Sequence, residues 1–234
     1  MLLPDLLGTY GDRGNAIVLA HRARARGVFA DVLEISAGQA VPANCDIYLL
    51  GGGEDLAQNE ATAQLRRDRT LARAADDGRV VLAVCAGLQI LGHRTQSADG
   101  TVHEGLGLLD VTTEPLPQRA IGEILTASND ALGLPPLTGF ENHRGGTRLG
   151  AAAAPLATVV RGHGNGNGTE GAVQGHIVGT YLHGPVLARN PNLADLLLSW
   201  AIGAPVEPIE VPAVDELREA RIGAARRRRW WRRS

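Results

Sequence analysis

The 234 residues, 44% of them hydrophobic, allow one domain whose core is large enough to fold without disulfides or a structural metal. All 23 basic residues are Arg, which excludes a Walker A phosphate loop and a Schiff-base lysine because both need a Lys. Six of these Arg lie in residues 226–234, so the other 225 residues carry 17 Arg against 25 Asp and Glu, a balance that argues against nucleic-acid binding.

Short apolar runs alternate with amphipathic segments in the first half of the chain. The runs are β-branched and bounded by Gly or polar residues, which predicts buried strands at 28–35, 47–50 and 80–84. Segments 15–26 and 57–77 have an apolar side and a polar side, as helices do. This alternation predicts a parallel sheet covered by helices.

The second half is less regular. Its predicted strands are 108–113, 121–125, 140–143, 157–160 and 176–181, and its Gly/Asn-rich segment 162–171 is expected to be a flexible loop. A helix is predicted over 193–202, after Asn190 as N-cap and Pro191, with its end at Gly203. We expect a catalytic domain over 1–204 and a C-terminal extension over 205–234, ending in an Arg/Trp-rich tail.

Two features bear on the compartment. No run of 18 apolar residues occurs, and the N-terminus lacks the features of a signal peptide. Cys45 and Cys85 form no CxxC pair, so neither a disulfide framework nor a metal site is expected. We therefore expect a cytoplasmic, soluble chain.

Residues 80–92 carry the sharpest local signal, a buried strand that runs into Cys85 and then into a helix. This is the pattern of a nucleophile elbow, with Cys in the place of Ser. A sulfur at the start of a helix should have a lowered pKa, and the Ala86 N–H is placed to hold an oxyanion. The alternative for Cys85 is a small buried core residue, which is also how we interpret Cys45.

Two further motifs end predicted strands. Gly51, Gly52 and Gly53 follow strand 47–50, and glycines at that edge of a parallel sheet expose N–H groups to ligands. We expect Gly52 to contact the substrate and to be a second oxyanion donor, although a steric need for glycine explains the run equally well. His183, fixed in a turn by Gly and Pro, is the predicted base for a thiol nucleophile, with His143 as its competitor.

Together the motifs resemble a family. VCAGLQILG at 84–92, GGGED at 51–55, GFENHRG at 139–145 and GTYLHGP at 179–185 resemble class I (triad) glutamine amidotransferases of the cobyric acid synthase type. PDLLGTYGDRGN at 4–15, EDLAQ at 54–58 and RAIG at 119–122 are more similar still to the glutaminase subunits of lipid II isoglutaminyl synthases. The resemblance covers about 4–203.

The resemblance implies a flavodoxin-like, doubly wound α/β fold with a mostly parallel sheet and helices on both faces. It implies hydrolysis of L-glutamine to glutamate and ammonia through a thioester on Cys85, with His183 as base. The ammonia would pass to a separate MurT-like Mur ligase, forming a heterodimer that amidates the D-glutamate α-carboxyl of the lipid II stem peptide. ATP and Mg²⁺ would bind to that ligase, and no cofactor is expected in this chain.

The resemblance also assigns secondary roles. Arg119 matches a family arginine that anchors substrate, and a guanidinium suits the α-carboxylate of glutamine; a solvated loop Arg is the alternative. Gln89 is a candidate for contacting glutamine or the partner. Many triad amidotransferases have Glu two residues after the base, but Pro185 stands there, and the resemblance implies that the partner supplies an Asp.

Other interpretations stay open at this stage. The acceptor of the ammonia could be of the cobyrinate type. The chain could be a stand-alone γ-glutamyl Cys hydrolase, or a redox-sensing regulatory subunit. For the Arg/Trp tail, a solvated end is weighed against weak contact with the inner face of an anionic membrane.

Overall fold

In the computed structural model, residues 1–8 and 11–227 are described, so most of the Arg/Trp tail lies outside the described part. The helices are α1 (Arg13–Arg24), α2 (Asp55–Asp68), α3 (Thr70–Asp76), α4 (Ala86–Leu91), α5 (Val186–Arg189), α6 (Pro191–Ile202) and α7 (Pro212–Arg227). The strands are β1 (Ile47–Leu50), β2 (Val80–Val84), β3 (Arg94–Gln96), β4 (Val102–Glu104), β5 (Val111–Thr126), β6 (Thr138–Leu149), β7 (Ala157–Arg161), β8 (Thr169–Glu170), β9 (Ala172–Gln174) and β10 (Ile177–Thr180).

The first sheet has the order β1-β2-β10-β9, with β1, β2 and β10 parallel and β9 antiparallel. All five residues of β2 are buried, which requires cover on both faces of the sheet. α4 and α6 both contact β2, while α1 packs against α5 and α6. The predicted helix-covered, mostly parallel sheet is therefore confirmed.

A second, mainly antiparallel sheet forms from the middle of the chain. The sequence predicted several short strands there, but β5 runs for 16 residues and pairs with β6 along most of its length. The pairing is interrupted between Pro115 and Ala120. Phe140 in β6 and the backbone of His183 exchange two hydrogen bonds, 3.0 and 2.9 Å long, which join this hairpin to the end of β10.

In the first half of the chain, two predicted elements differ from the structure. Segment 28–35 has no ladder, and only Ile35 pairs, with Leu2, because just the short stretch at Met1 to Leu3 lies between it and β1. The predicted helix 57–77 is two helices, since Arg69 between α2 and α3 has a left-handed backbone with φ of 58°.

The C-terminal extension contains α7, which contacts β5, β6 and α5. Its Arg218 guanidinium donates to the carbonyl of Pro136. Within the described ranges, every helix is too short or too polar to cross a bilayer. The boundary at residue 204 stays a prediction.

Candidate active site

Cys85 occupies a strained turn between β2 and α4. Its backbone has φ of 54° and ψ of −106°, a conformation that costs a non-Gly residue about 1–3 kcal/mol and persists only where its surroundings hold it. The Cys85 N–H donates to the carbonyl of Thr180 at 2.8 Å, which ties the turn to the end of β10. A Cβ on Gly87 would lie 2.9 Å from the Cβ of Leu50, so only glycine lets α4 approach β1 this closely. The predicted strand–Cys–helix turn is present.

The expected low pKa of Cys85 is wrong. The residue is only 7% exposed, and burial, aided by the charge of Asp12, raises the pKa of its thiol to about 12. A hydrogen bond from the Ala86 N–H and the charge of Arg119 act in the opposite direction but do not offset burial. Cys85 is thus a neutral thiol near pH 7, and a nucleophilic role requires a base to remove its proton.

His183 lies just beyond β10, next to the end of β2. Thr180 pairs with Val84 in the parallel ladder, so the residues that follow these two strands share one edge of the sheet. The imidazole is buried, and its Nδ1 lies 3.3 Å from Oδ2 and 3.4 Å from Oδ1 of Asp12. Asp12 also acts electrostatically on Cys85, so its carboxylate contacts the imidazole and lies near the thiol.

The run of three glycines after β1, at 51–53, also contacts the carboxylate of Asp12. The N–H of Gly52 donates to Oδ2 of Asp12 at 2.9 Å. Asp12 therefore occupies this donor in the structure, and the oxyanion role of Gly52 stays a prediction. The neighbouring Gly53, and not Gly52, lines the cavity beside Cys85, together with Ala86.

A cavity of about 280 Å³ opens beside Cys85 between α2, α4 and the β5–β6 hairpin. Arg119 and Gln89, the two predicted substrate-contacting side chains, both line it. The Arg119 Nε donates to Oδ1 of Asn142 at 2.7 Å, and the Gln89 amide donates to the Tyr181 hydroxyl at 3.3 Å. Glu54 lines the cavity too, so groups of both charge signs face the space in front of the thiol.

His143, the competing base, is built into the cavity wall. Its ring stacks on Tyr181 with 3.8 Å between centroids and 13° between planes. Its Nδ1 lies 2.9 Å from the carbonyl oxygen of Gly145, and its Nε2 lies 3.6 Å from Oε2 of Glu141. The Nδ1 contact and the stacked ring face hold the His143 ring in place.

Segment 162–171 is ordered by carboxylates, contrary to the prediction of a flexible loop. Glu141 accepts the backbone N–H groups of His163 and Gly164, each at 2.9 Å. At the far end of the segment, Glu170 is fully buried and accepts the Tyr181 N–H at 2.9 Å and the Thr180 hydroxyl. Burial raises the pKa of Glu170 to about 7.

Sequence reasoning missed Asp12, Glu141 and Glu170. Asp12 stands immediately before α1, where an Asp is ordinarily interpreted as a helix cap. Asp12 lies in the motif at 4–15, where its place before a helix gives no sign of a distant partner. In the described part of the chain, no cluster of three or more His, Cys, Asp and Glu could hold a metal ion.

Comparison with known proteins places this site in a family. The family model of CobB/CobQ-like glutamine amidotransferase domains matches residues 1–191. The chain belongs to this family. The amidotransferase is 37% identical over 225 residues to "Lipid II isoglutaminyl synthase (glutamine-hydrolyzing) subunit GatD" of Staphylococcus aureus, which covers 94% of the chain and 91% of the relative.

Two other proteins are similar to this chain, one in sequence over part of its length and one in fold. The amidotransferase is 36% identical over 180 residues to the cobyric acid synthase of Sphingopyxis alaskensis, covering 72% of this chain but 34% of that protein. A solved structure described as a glutamine amidotransferase aligns with a TM-score of 0.59 at 19% identity, covering 86% of this chain and 97% of the other. The latter supports the α/β fold of the family.

Proposed function

We propose that this chain is the glutaminase subunit of a lipid II isoglutaminyl synthase. The observation that carries the proposal is the strained Cys85 at the same sheet edge as His183, in an amidotransferase that matches a GatD subunit over nearly the full length of both chains. A stand-alone redox sensor has no need of a substrate cavity at the cysteine, and this chain has one.

The chemistry follows from the protonation states. His183 takes the proton of the Cys85 thiol as the sulfur attacks the carboxamide carbon of glutamine. The C–N bond then breaks, the leaving nitrogen takes the proton from His183, and ammonia and a glutamyl thioester result. Water attacks the thioester while His183 accepts a proton, the C–S bond breaks, and return of the proton to sulfur gives glutamate and the free thiol.

The cavity supplies groups for each end of glutamine. Arg119 faces the α-carboxylate, since a guanidinium forms charge-assisted hydrogen bonds with carboxylates. Glu54, on another wall of the same cavity, faces the α-ammonium group. Gln89 borders the space where the side chain lies, and the Ala86 N–H, already hydrogen-bonded to the sulfur, stabilises the oxyanion.

The ammonia passes to a partner. A MurT-like, ATP-dependent Mur ligase amidates the D-glutamate α-carboxyl of the lipid II stem peptide, forming a heterodimer with this chain at the inner face of the membrane. ATP and Mg²⁺ bind to that ligase. Support for the partner comes from the name of the relative, whose length this chain nearly spans.

Release of glutamate from glutamine tests the proposal directly. It is measured for the wild type, Cys85→Ala and Cys85→Ser, each alone and with the co-expressed ligase. We expect Cys85-dependent release that rises severalfold with the ligase, and amidated lipid II only when both subunits are present. Cys85-independent release, or equal rates with and without the ligase, would count against the proposal.

Arg119 provides a second test within the same assay. Arg119→Ala should raise the KM for glutamine about tenfold or more, because loss of a charge-assisted hydrogen bond costs about 1.5–3 kcal/mol. Arg144→Ala is a matched control, since Arg144 also lines the cavity but its guanidinium donates to the carbonyls of Leu116 and Pro117. A larger effect at Arg144 would overturn the assignment of Arg119.

A cobyrinate-type acceptor is the second candidate, because a cobyric acid synthase shares 36% identity with this chain. The match covers only about a third of that synthase, whereas the GatD match covers nine tenths of the relative. Amidation of a cobyrinate, and not of lipid II, by the purified two-subunit enzyme would favour this candidate.

A further inference from the structure

We propose that Asp12 is the positioning residue of the base, so that this chain supplies its own third member of a Cys85–His183–Asp12 triad. The inference rests on the proposed glutaminase function. Asp12 and His183 are separated by 171 residues, yet the two carboxylate oxygens lie 3.3 and 3.4 Å from Nδ1. Their side chains are only 1% and 3% exposed, so water screens the contact little.

The carboxylate of Asp12 does not cap the helix that it precedes. An Asp that precedes a helix normally accepts an N–H from the first turn of that helix. Asp12 makes no such capping hydrogen bond. Instead Oδ2 accepts the Gly52 N–H, and the carboxylate faces His183. A buried carboxylate that gives up its local partners for an imidazole fits a role in orienting that imidazole.

The backbone around the pair is locked on both sides. A Cβ on Gly14 would lie 2.3 Å from Cγ of Pro185, so glycine is required where the start of α1 meets the turn after His183. The side-chain oxygen of Asn15 accepts the N–H of Leu187 at 3.0 Å. These contacts fix the start of α1 against the segment that presents His183, and the distance between carboxylate and ring is set by packing on either side.

The chemical consequence concerns the tautomer of the ring. A carboxylate at Nδ1 accepts a proton from that nitrogen, which leaves the Nε2 lone pair to take the thiol proton. The same carboxylate stabilises the imidazolium that forms. Asp12 cannot activate the thiol directly, because its negative charge raises the pKa of Cys85. Its contribution to rate therefore acts through His183, which also explains how Pro185 can stand where many triad enzymes have Glu.

Kinetics of Asp12→Asn and Asp12→Glu in the complex with the ligase test this role. Asp12→Asn keeps an oxygen for the Gly52 N–H but presents no anion, and it should lower kcat about 10²- to 10⁴-fold with less than about a threefold change in KM. Asp12→Glu restores the anion and should recover at least about tenfold of that loss. Asp5→Asn is the matched control, since Asp5 is an exposed carboxylate of the same segment that accepts a backbone N–H.

The outcomes decide whether the His183 ring is positioned by the carboxylate of Asp12 or by a carboxylate of the partner. A kcat for Asp12→Asn within about twofold of wild type in the complex would overturn the proposal and favour a partner's Asp. If Asp12→Asn does not fold, nitrogen-15 NMR of histidine-labelled wild type still decides. The proton of neutral His183 must then be on Nδ1, and a proton on Nε2 would overturn the proposal. Glutamate release that does not depend on Cys85 would instead reject the proposed function and leave the tautomer result standing.

Discussion

Replacing Glu170 by Gln should remove a pH dependence from the stability of the chain. Glu170 is fully buried, and its Oε1 accepts the Thr180 hydroxyl and the Tyr181 N–H just before His183. Burial raises its pKa from an ordinary value of 4.5 to about 7. Because the folded state holds this proton more tightly than the unfolded chain, the associated stability is fully present below pH 4.5. It is lost as the pH rises to 7.

The size of the effect follows from the shift. A difference of about 2.5 pKa units corresponds to about 3 kcal/mol of unfolding free energy, most of which is lost between pH 5 and pH 8. The amide oxygen of Gln accepts the same two hydrogen bonds but does not titrate in this range. Urea unfolding at pH 5, 6, 7 and 8 should therefore give a wild-type curve that falls more steeply than that of Glu170→Gln by about 2–3 kcal/mol in total.

Subtracting the Glu170→Gln curve from the wild-type curve removes the contribution of all other titrating groups to the pH dependence. Glu60→Gln, which removes an exposed carboxylate from α2, should leave the wild-type curve unchanged in shape and controls for the loss of one charge. Parallel curves for wild type and Glu170→Gln would show that the carboxyl titrates in the folded protein as it does in the unfolded chain, and the reasoning from burial would be refuted.

Three shorter predictions concern other parts of the molecule. Alkylation of Cys85 by iodoacetamide in the isolated chain should speed up about tenfold per pH unit from 7 to 10, and a plateau near pH 7 would show that its thiolate forms far below a pKa of about 12. Gly51→Ala should lower the melting temperature by several degrees, since its Cβ would lie 2.0 Å from the Leu7 carbonyl oxygen, with a cost of about 1–3 kcal/mol; an unchanged Tm would refute this overlap. Arg22→Ala should cost about 1.5–3 kcal/mol in urea unfolding, because Asp195 loses two hydrogen bonds of 2.7 and 2.6 Å but keeps the Arg26 guanidinium at 2.9 Å, and a loss below about 1 kcal/mol would refute this estimate.

Local pattern was enough for elements whose residues are decided by their immediate neighbours. β1 and β2 begin and end at the predicted residues, because a short apolar run bounded by Gly or polar residues leaves little choice of position. Helix α6 ends at Ile202 as predicted, and Gly203 beyond it has the left-handed backbone expected of a helix terminator, with φ of 76°.

Elements whose conformation depends on distant partners could not be predicted in this way. Segment 28–35 has the composition of a strand, but a strand needs a neighbouring strand of matching length. Here only Ile35 forms a bridge, and its partner is Leu2. Segment 162–171 has the composition of a flexible loop, yet the carboxylate of Glu141 binds its N–H groups and Glu170 is buried at its end. In both cases the partners that decide the conformation lie outside the segment, at Leu2 for the first and at Glu141, Thr180 and Tyr181 for the second.

In the active site, too, some features are set by the local sequence and others by distant residues. The position of Cys85 could be predicted because strand, nucleophile and helix are consecutive, but its pKa could not. The start of a helix favours the thiolate, while burial and the charge of Asp12 oppose it, and the balance depends on what covers the sulfur in three dimensions. Since burial dominates, the site depends on its base, and the two contacts that hold that base involve residues far away in sequence. Phe140 holds the backbone of His183 and Asp12 holds its ring, so the nucleophile is set locally while its activation is a property of the whole fold.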